Sequence, residues 1–167
     1  GAEKLRRAIE EIIAEKQPPL IFVYATCIVG VIGDDIEAVC REMEEKHAVR
    51  VIPVKAPGFS GTKSLGYKMA FQAIMTLIRP HADKGAVPRG INILGDFNLA
   101  GEMWILKRYF KELGIPVLAT ITGDASYETL IRAPQAALNI VQCAGSSTYL
   151  AQMMEDEFSI PFFKVSF

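Results

Sequence analysis

The sequence is poor in cysteine and histidine. Its 167 residues include three cysteines, Cys27, Cys40 and Cys143, and two histidines, His47 and His81. An odd, sparse cysteine count argues against a disulfide framework and for a reducing, cytoplasmic setting. There is no Cys-x-x-Cys pair and no local histidine cluster, so neighbouring residues cannot build a complete zinc or iron–sulfur site. Nor is there an excess of charge. Eighteen Lys and Arg face nineteen Asp and Glu, a net charge of −1. That leaves no broad basic field for nucleic acid. No apolar run reaches the length of a membrane span. Residues 1–7 lack the apolar core of a signal peptide. Apolar residues are what the chain has in quantity, at 50%, enough for the core of one ordinary domain or two small ones.

One stretch organises the rest. Residues 20–24, Leu-Ile-Phe-Val-Tyr, read as a strand. They lead into Ala25-Thr26-Cys27-Ile28-Val29-Gly30-Val31-Ile32-Gly33-Asp34-Asp35. A thiol therefore sits where a strand ends and a helix is about to begin, the edge at which open α/β sheets place ligands. Asp34 or Asp35 can cap the following helix. Leu5, Ile9, Ile12 and Ile13 form an earlier helical stripe that Pro18-Pro19 ends. Ile36, Val39, Cys40 and Met43 form a second, with Glu37 and Arg41 spaced to pair on its outer side. Residues 51–54 read as a short strand. A glycine-rich turn over residues 57–66 opens a helix that runs to about Arg79.

Pro80, Gly85, Pro88 and Gly90 mark a linker over residues 79–90. After it come a strand at 91–94, a turn, and a helix carrying Met103, Leu106, Phe110 and Leu113 inward. A strand at 117–122, a short helix at 126–132 and a strand at 138–142 ending at Cys143 follow. Then come a helix with Leu150, Met153 and Met154 inside and a final strand at 162–167. Strand and helix alternate throughout, which predicts an α/β fold with mostly parallel strands. The expected organisation is two units, 1–88 and 89–167. A chain stopping on an apolar strand is expected of a piece of something longer.

Cys27 and Cys143 occupy matching places, each after a strand and before a glycine-containing helix start. Backbone dipoles favour a thiolate there, as an iron–sulfur ligand or a nucleophile would require. A small buried residue filling a tight turn explains the same pattern. Cys40 lies on an apolar helical stripe and reads as packing. Gly58-Phe59-Ser60-Gly61-Thr62-Lys63-Ser64 departs from P-loop spacing, because Thr62 separates Gly61 from Lys63. Its N–H groups and Lys63 still suit an anion. Asp96 and Asp124, each after a glycine, read as turn and capping residues.

Taken together, these motifs resemble the nitrogenase component 1 family. Residues 27–36 are similar to its Cys-x-x-Gly-x-Ile-Gly-Asp-Asp-Ile turn. Gly58-Phe59-x-Gly61 with Ser64-Leu65-Gly66 resembles the next segment. Residues 95–104, Gly-Asp-Phe-Asn-Leu-Ala-Gly-Glu-Met-Trp, are similar to its Gly-Asp-Tyr-Asn-Ile-Gly-Gly-Asp-x-Trp stretch. Residues 138–143, with Tyr149 and Ile160-Pro161, resemble its cofactor-cysteine strand. The likeness covers nearly the whole chain in order. It implies three-layer αβα Rossmann-like units. Val39-Cys40 and Pro57-Gly58-Phe59 look more like the family's α-type cofactor-assembly branch than its catalytic α subunit. Lys63 and Tyr67 stand where the catalytic branch has Gln and His, and Thr26 where it has Glu.

The resemblance implies roles for particular residues. Cys27 would be one ligand of a 4Fe–4S-type iron–sulfur cluster shared with a β-type scaffold subunit. Cys143 would hold an iron–molybdenum cofactor precursor at its terminal iron. Lys63, Tyr67, Phe97, Leu99 and Ser146 would line the pocket, with Lys63 facing an anionic cluster and homocitrate. Molybdenum would enter during maturation, and the nitrogenase iron protein would supply electrons. Too few ligands are present for a stable cluster on these 167 residues alone. Neither nucleic acid nor membrane is an expected partner. The competing expectation is a catalytic α-type subunit or a related reductase acting on a tetrapyrrole.

Overall fold

The computed structural model describes residues 1–33 and 35–165. It forms two compact units, Gly1–Ala73 and Ile74–Phe167. The division falls inside a helix, whereas the Pro- and Gly-rich segment near residue 88 belongs to the second unit.

The first unit contains helix α1 (Ala2–Lys16), strand β1 (Leu20–Tyr24), a short helix α2 (Cys27–Ile32), helix α3 (Ile36–His47) and strand β2 (Arg50–Val54). Helix α4 (Lys63–Ile78) begins in this unit. β1 and β2 pair in parallel, Leu20 opposite Arg50 and Tyr24 opposite Val54. Pro53 is accommodated opposite Val23. The core is the one the two stripes describe, except that Ile12 of the first stripe is 43% exposed. Ile9, Val39, Cys40, Met43 and Val51 are buried together, with Leu5, Ile13, Ile21 and Val23 against them. Asp35 caps α3, accepting the Ala38 N–H at 3.0 Å. Asp34, the other capping candidate, lies outside the described residues. Glu37 pairs with Lys55 at 2.9 Å rather than with Arg41, so its partner comes from beyond the next strand and not from its own helix.

The second unit contains a 3-10 turn (Arg79–Lys84), strand β3 (Ile91–Asp96), helix α5 (Glu102–Glu112) and strand β4 (Val117–Thr122). Helix α6 (Tyr127–Leu130), a 3-10 turn (Ala133–Gln135), strand β5 (Leu138–Val141), helix α7 (Ala144–Phe158) and strand β6 (Phe162–Lys164) complete it. The expected linker is thus partly helical, and Arg79 clamps Glu157 through two hydrogen bonds of 2.6 and 2.7 Å. The final strand stops at Lys164; Ser166 and Phe167 lie outside the described residues.

The four strands are parallel in the order β4-β3-β5-β6. β3 to β4 steps one way across the sheet and β5 to β6 the other. Right-handed crossovers therefore put α5 and α7 on opposite faces. Met103, Leu106 and Phe110 of α5 pack on Ile91, Ile93, Leu138 and Ile140. Leu113, expected inside, is 64% exposed, because α5 ends at Glu112 and the chain has already turned away. The other face carries a buried polar pair. Asn92 donates to Asn139 Oδ1 at 2.8 Å and to the Ala133 carbonyl at 2.9 Å. No helix among the described residues is long and apolar enough to cross a membrane.

Candidate functional site

In the first unit, Cys27 opens α2 and its thiol is exposed. The sulfur accepts the Gly58 N–H at 3.2 Å. A Cβ at Gly58 would lie 3.1 Å from that sulfur, so glycine is what lets this N–H reach it. Gly30 serves the same approach from the helix side. A Cβ there would meet Pro57 Cβ at 2.9 Å and Phe59 Cζ at 3.1 Å. The Cys-x-x-Gly turn and the Pro-Gly-Phe loop, separate in sequence, are thus one packed assembly around one thiol. α2 buries none of its residues. Ile28, Val31 and Ile32 are 71%, 76% and 67% exposed. A six-residue helix with its apolar side chains in water has little intrinsic stability, and such a face marks an interaction surface. An apolar groove of about 450 Å³ beside it is lined by Leu5, Ala8, Tyr24, Ile28 and Ile32.

Lys63 and Tyr67 also belong to the first unit. The Lys63 ammonium lies 5.5 Å from the centre of the Tyr67 ring, a cation–π distance. Tyr67 stacks on Phe71 at 6.2 Å, and Phe71 is buried. The charge is therefore tethered to the core through two rings. Lys63 lines a cleft of about 220 Å³ together with Gly58, Ser60, Gly61, Thr62 and Gly66.

Cys40 is buried in the apolar core. Burial, with Glu44 and Glu37 nearby, pushes its thiol up to about 11. That is the behaviour of a packing residue, as its place on the stripe predicts.

In the second unit, the strand order defines a switch point between β3 and β5. The chain leaves β3 toward one side and later returns on the other, opening a crevice at the carboxyl ends. Cys143 directly follows Gln142 at the end of β5 and is the N-cap of α7. Its carbonyl accepts the Ser147 N–H at 2.9 Å and the Ser146 N–H at 3.3 Å. The Ser146 hydroxyl, on a buried side chain, donates to the same carbonyl at 3.4 Å. Gly95, at the end of β3, adopts φ +88°. A Cβ there would stand 2.9 Å from the Cys143 backbone nitrogen and 2.8 Å from Ser147 Oγ. No L side chain fits, and the cysteine turn rests directly on the neighbouring strand.

The β3–α5 loop carries the other two expected pocket residues, Phe97 and Leu99, 42% and 89% exposed. Asp96 Oδ1 accepts the Asn98 N–H at 2.7 Å. Asn98 Oδ1 accepts the Met103 N–H at 3.1 Å. Glu102 takes the Leu99 and Ala100 N–H groups on its two oxygens, at 3.1 and 2.8 Å. Burial, reinforced by Glu102, raises the Asp96 pKa above the ordinary carboxylate range. Backbone N–H donors hold Glu102 below it. A cavity of about 460 Å³ between Phe97, Leu99, Ile105 and Gln142 borders this loop. Asp124, in the turn after β4, accepts from Lys107 at 2.6 Å. It acts as the turn residue the sequence predicts.

Among the described residues no group of three or more His, Cys, Asp or Glu could hold a metal ion. Each cysteine turn offers one sulfur, not a closed ligand set. Sequence reasoning located both thiols but missed what touches them. The Gly58 N–H and the Gly95 cradle could have been suspected only from glycines placed beside the strand ends.

Parallel α/β units with a cysteine at a switch point, and a second cysteine turn packed on a Pro-Gly-Phe loop, define a class. The chain belongs to the nitrogenase component 1 type oxidoreductase family, whose model matches residues 1–167. Among its relatives, the nitrogenase iron-molybdenum cofactor biosynthesis protein NifE of Clostridium pasteurianum is 60% identical over 167 residues, 100% of this chain and 36% of that protein. The NifE of Methanosarcina barkeri is 48% identical, over 100% of this chain and 38% of that protein. The nitrogenase molybdenum-iron protein alpha chain of Methanosarcina barkeri is 38% identical, over 100% and 32%. The solved structure of nitrogenase Cp1 at pH 6.5 superposes with a TM-score of 0.94 at 40% identity, covering 100% of this chain and 32% of that one. The chain therefore spans 32% to 38% of these relatives' lengths.

Proposed function

We propose that this sequence, within a polypeptide of its relatives' length, works as an α-type scaffold subunit for building the iron–molybdenum cofactor. The cargo is a precursor iron–sulfur cluster, held at Cys143 while molybdenum and homocitrate are added. Cys27 contributes one ligand to a resident 4Fe–4S-type cluster shared with a β-type subunit, and the iron protein supplies electrons. The observation that carries the reading is the contrast in identity: 60% to a cofactor biosynthesis protein, 38% to a nitrogenase alpha chain, each over the whole of this chain.

The residues fit these roles as partial ligand sets. An exposed thiol receiving a backbone N–H at 3.2 Å has the donor that stabilises a thiolate on iron. The exposed apolar residues of α2 supply a surface for a second subunit to cover. Cys143, set in a crevice and backed by glycine, offers one thiolate to cargo. Lys63, fixed over Tyr67, adds a positive charge suited to an anionic cluster. A bound iron–sulfur cluster supplies the redox chemistry; these residues ligate, neutralise and limit access. The second reading is a catalytic α-type subunit, favoured by the TM-score of 0.94 to a nitrogenase.

One preparation separates the two. The chain, in full length and co-expressed anaerobically with a β-type partner, is assayed for iron, molybdenum and acetylene reduction. Retained iron with negligible reduction supports the scaffold. Reduction at the level of a nitrogenase would overturn it.

A further inference from the structure

The proposed cargo site needs more than a thiol, because one bond does not orient a cluster. The structure carries a second device beside it. Residues 95–102 leave β3 and enter α5, and their backbone is braced from three directions. Gly95 rests on Cys143 and Ser147. Gly123, after β4, lies so close that a Cβ there would meet the Phe97 carbonyl carbon at 2.5 Å and Asn98 N at 2.7 Å. The Gly123 N–H also donates to the Asp96 carbonyl at 2.8 Å. Within the loop, Asp96, Asn98 and Glu102 together take the N–H groups of residues 98, 99, 100 and 103. Asn98 is held at φ +52°. Against all this fixing, the loop presents Phe97 and Leu99 outward, although neither contributes to the buried core.

We propose that Asp96, Asn98 and Glu102 are positioning residues that hold Phe97 and Leu99 as a fixed apolar rim at the switch-point crevice, so that the rim selects the cluster by shape. The inference rests on the scaffold reading and deepens it. The rim decides which form of the cargo seats against Cys143. Asp96 acts in the loop through the Oδ1 that accepts the Asn98 N–H at 2.7 Å. Asp96→Asn keeps that acceptor, whereas Asp96→Ala removes it. This makes a conservative rescue available.

The test uses the full-length protein with its β-type partner, purified anaerobically, as the parent and as Glu102→Ala, Asp96→Ala and Asp96→Asn. Amide hydrogen exchange over residues 97–103 reads the loop. Molybdenum retained per chain after gel filtration reads the cargo. Glu102→Ala and Asp96→Ala are expected to raise exchange at Leu99 and Ala100, or at Asn98, about tenfold, and to lower retention about tenfold, from loss of charge-assisted hydrogen bonds. Iron at the Cys27 cluster should not change, and Asp96→Asn, which keeps the acceptor, should lie much nearer the parent than Asp96→Ala in both readouts. Three results would overturn the inference: exchange that does not rise, a loosened loop that retains cargo as the parent does, or Asp96→Asn as damaging as Asp96→Ala. A parent that holds no precursor overturns the scaffold reading itself, and that outcome is seen before any variant is made.

Discussion

The two cysteine turns share a plan and differ in what surrounds the sulfur. Both follow a parallel strand and begin a helix. Cys27 opens a six-residue helix that buries nothing, among exposed Ile28, Val31 and Ile32. Cys143 caps a fifteen-residue helix whose Leu150, Ala151 and Met154 are fully buried, and a glycine of the next strand is pressed against it. The first turn leaves its apolar side chains in water. The second is packed into its unit, with Cys143 half-buried. Similar local sequence grammar therefore gives an exposed thiol in one case and a half-buried one in the other, and packing beyond the motif decides between them.

The largest expected contrast is chemical. At pH 8 a thiol near 11, as burial makes Cys40, is ionised only about one part in a thousand, whereas Cys27 stands exposed to reagent. Iodoacetamide should label Cys27 at least about a hundredfold faster than Cys40 in the folded chain, with the difference vanishing in urea. Equal rates would mean that the packed stripe opens readily.

A matched pair of glycine substitutions sharpens the comparison of the turns. Gly95→Ala places a Cβ against backbone and Ser147 at positive φ, and should cost about 3 kcal/mol in urea unfolding. Gly58→Ala meets only the Cys27 sulfur at 3.1 Å, which can rotate aside, and should cost less than about 1 kcal/mol. Reversed magnitudes would break the distinction between a rigid and an adaptable turn.

The smallest effect is at the outer brace. Lys107 holds the Asp124 carboxyl below its usual range. A depressed carboxylate contributes stability above its unfolded pKa and loses it as pH falls through the folded value. Both side chains are about one-third exposed, 31% and 36%, so the contribution is about 0.5 kcal/mol. Lys107→Gln should remove it at pH 7 and leave stability at pH 2 unchanged. A larger loss at pH 2 would assign Lys107 a packing role instead.

Much of this architecture was legible because it depends on periodicity. The stripe of α3, most of the stripe of α1 and the strand positions follow from residue spacing; for the cap of α3, spacing offered Asp34 or Asp35, and Asp35 takes the role. Leu113 was misplaced because helical spacing does not reveal where a helix ends. The Asn92–Asn139 pair, the Gly95 cradle and the clasp around Asn98 depend on which strands become neighbours. Strand order is a tertiary property, settled by crossovers that no local window contains. The thiols were visible as residue types in suggestive places; the donors and glycines that define their surroundings lie 31 and 48 positions away, Gly58 from Cys27 and Gly95 from Cys143.

The most direct measurement compares Cys27→Ser and Cys143→Ser in the full-length chain assembled with its β-type partner, counting iron and molybdenum per complex. Cys143→Ser is expected to abolish molybdenum loading while the shared cluster keeps its iron, and Cys27→Ser to lose cluster iron first. Identical losses in both variants, or metal contents unchanged from the parent, would contradict a division of labour between an interface thiol and a crevice thiol.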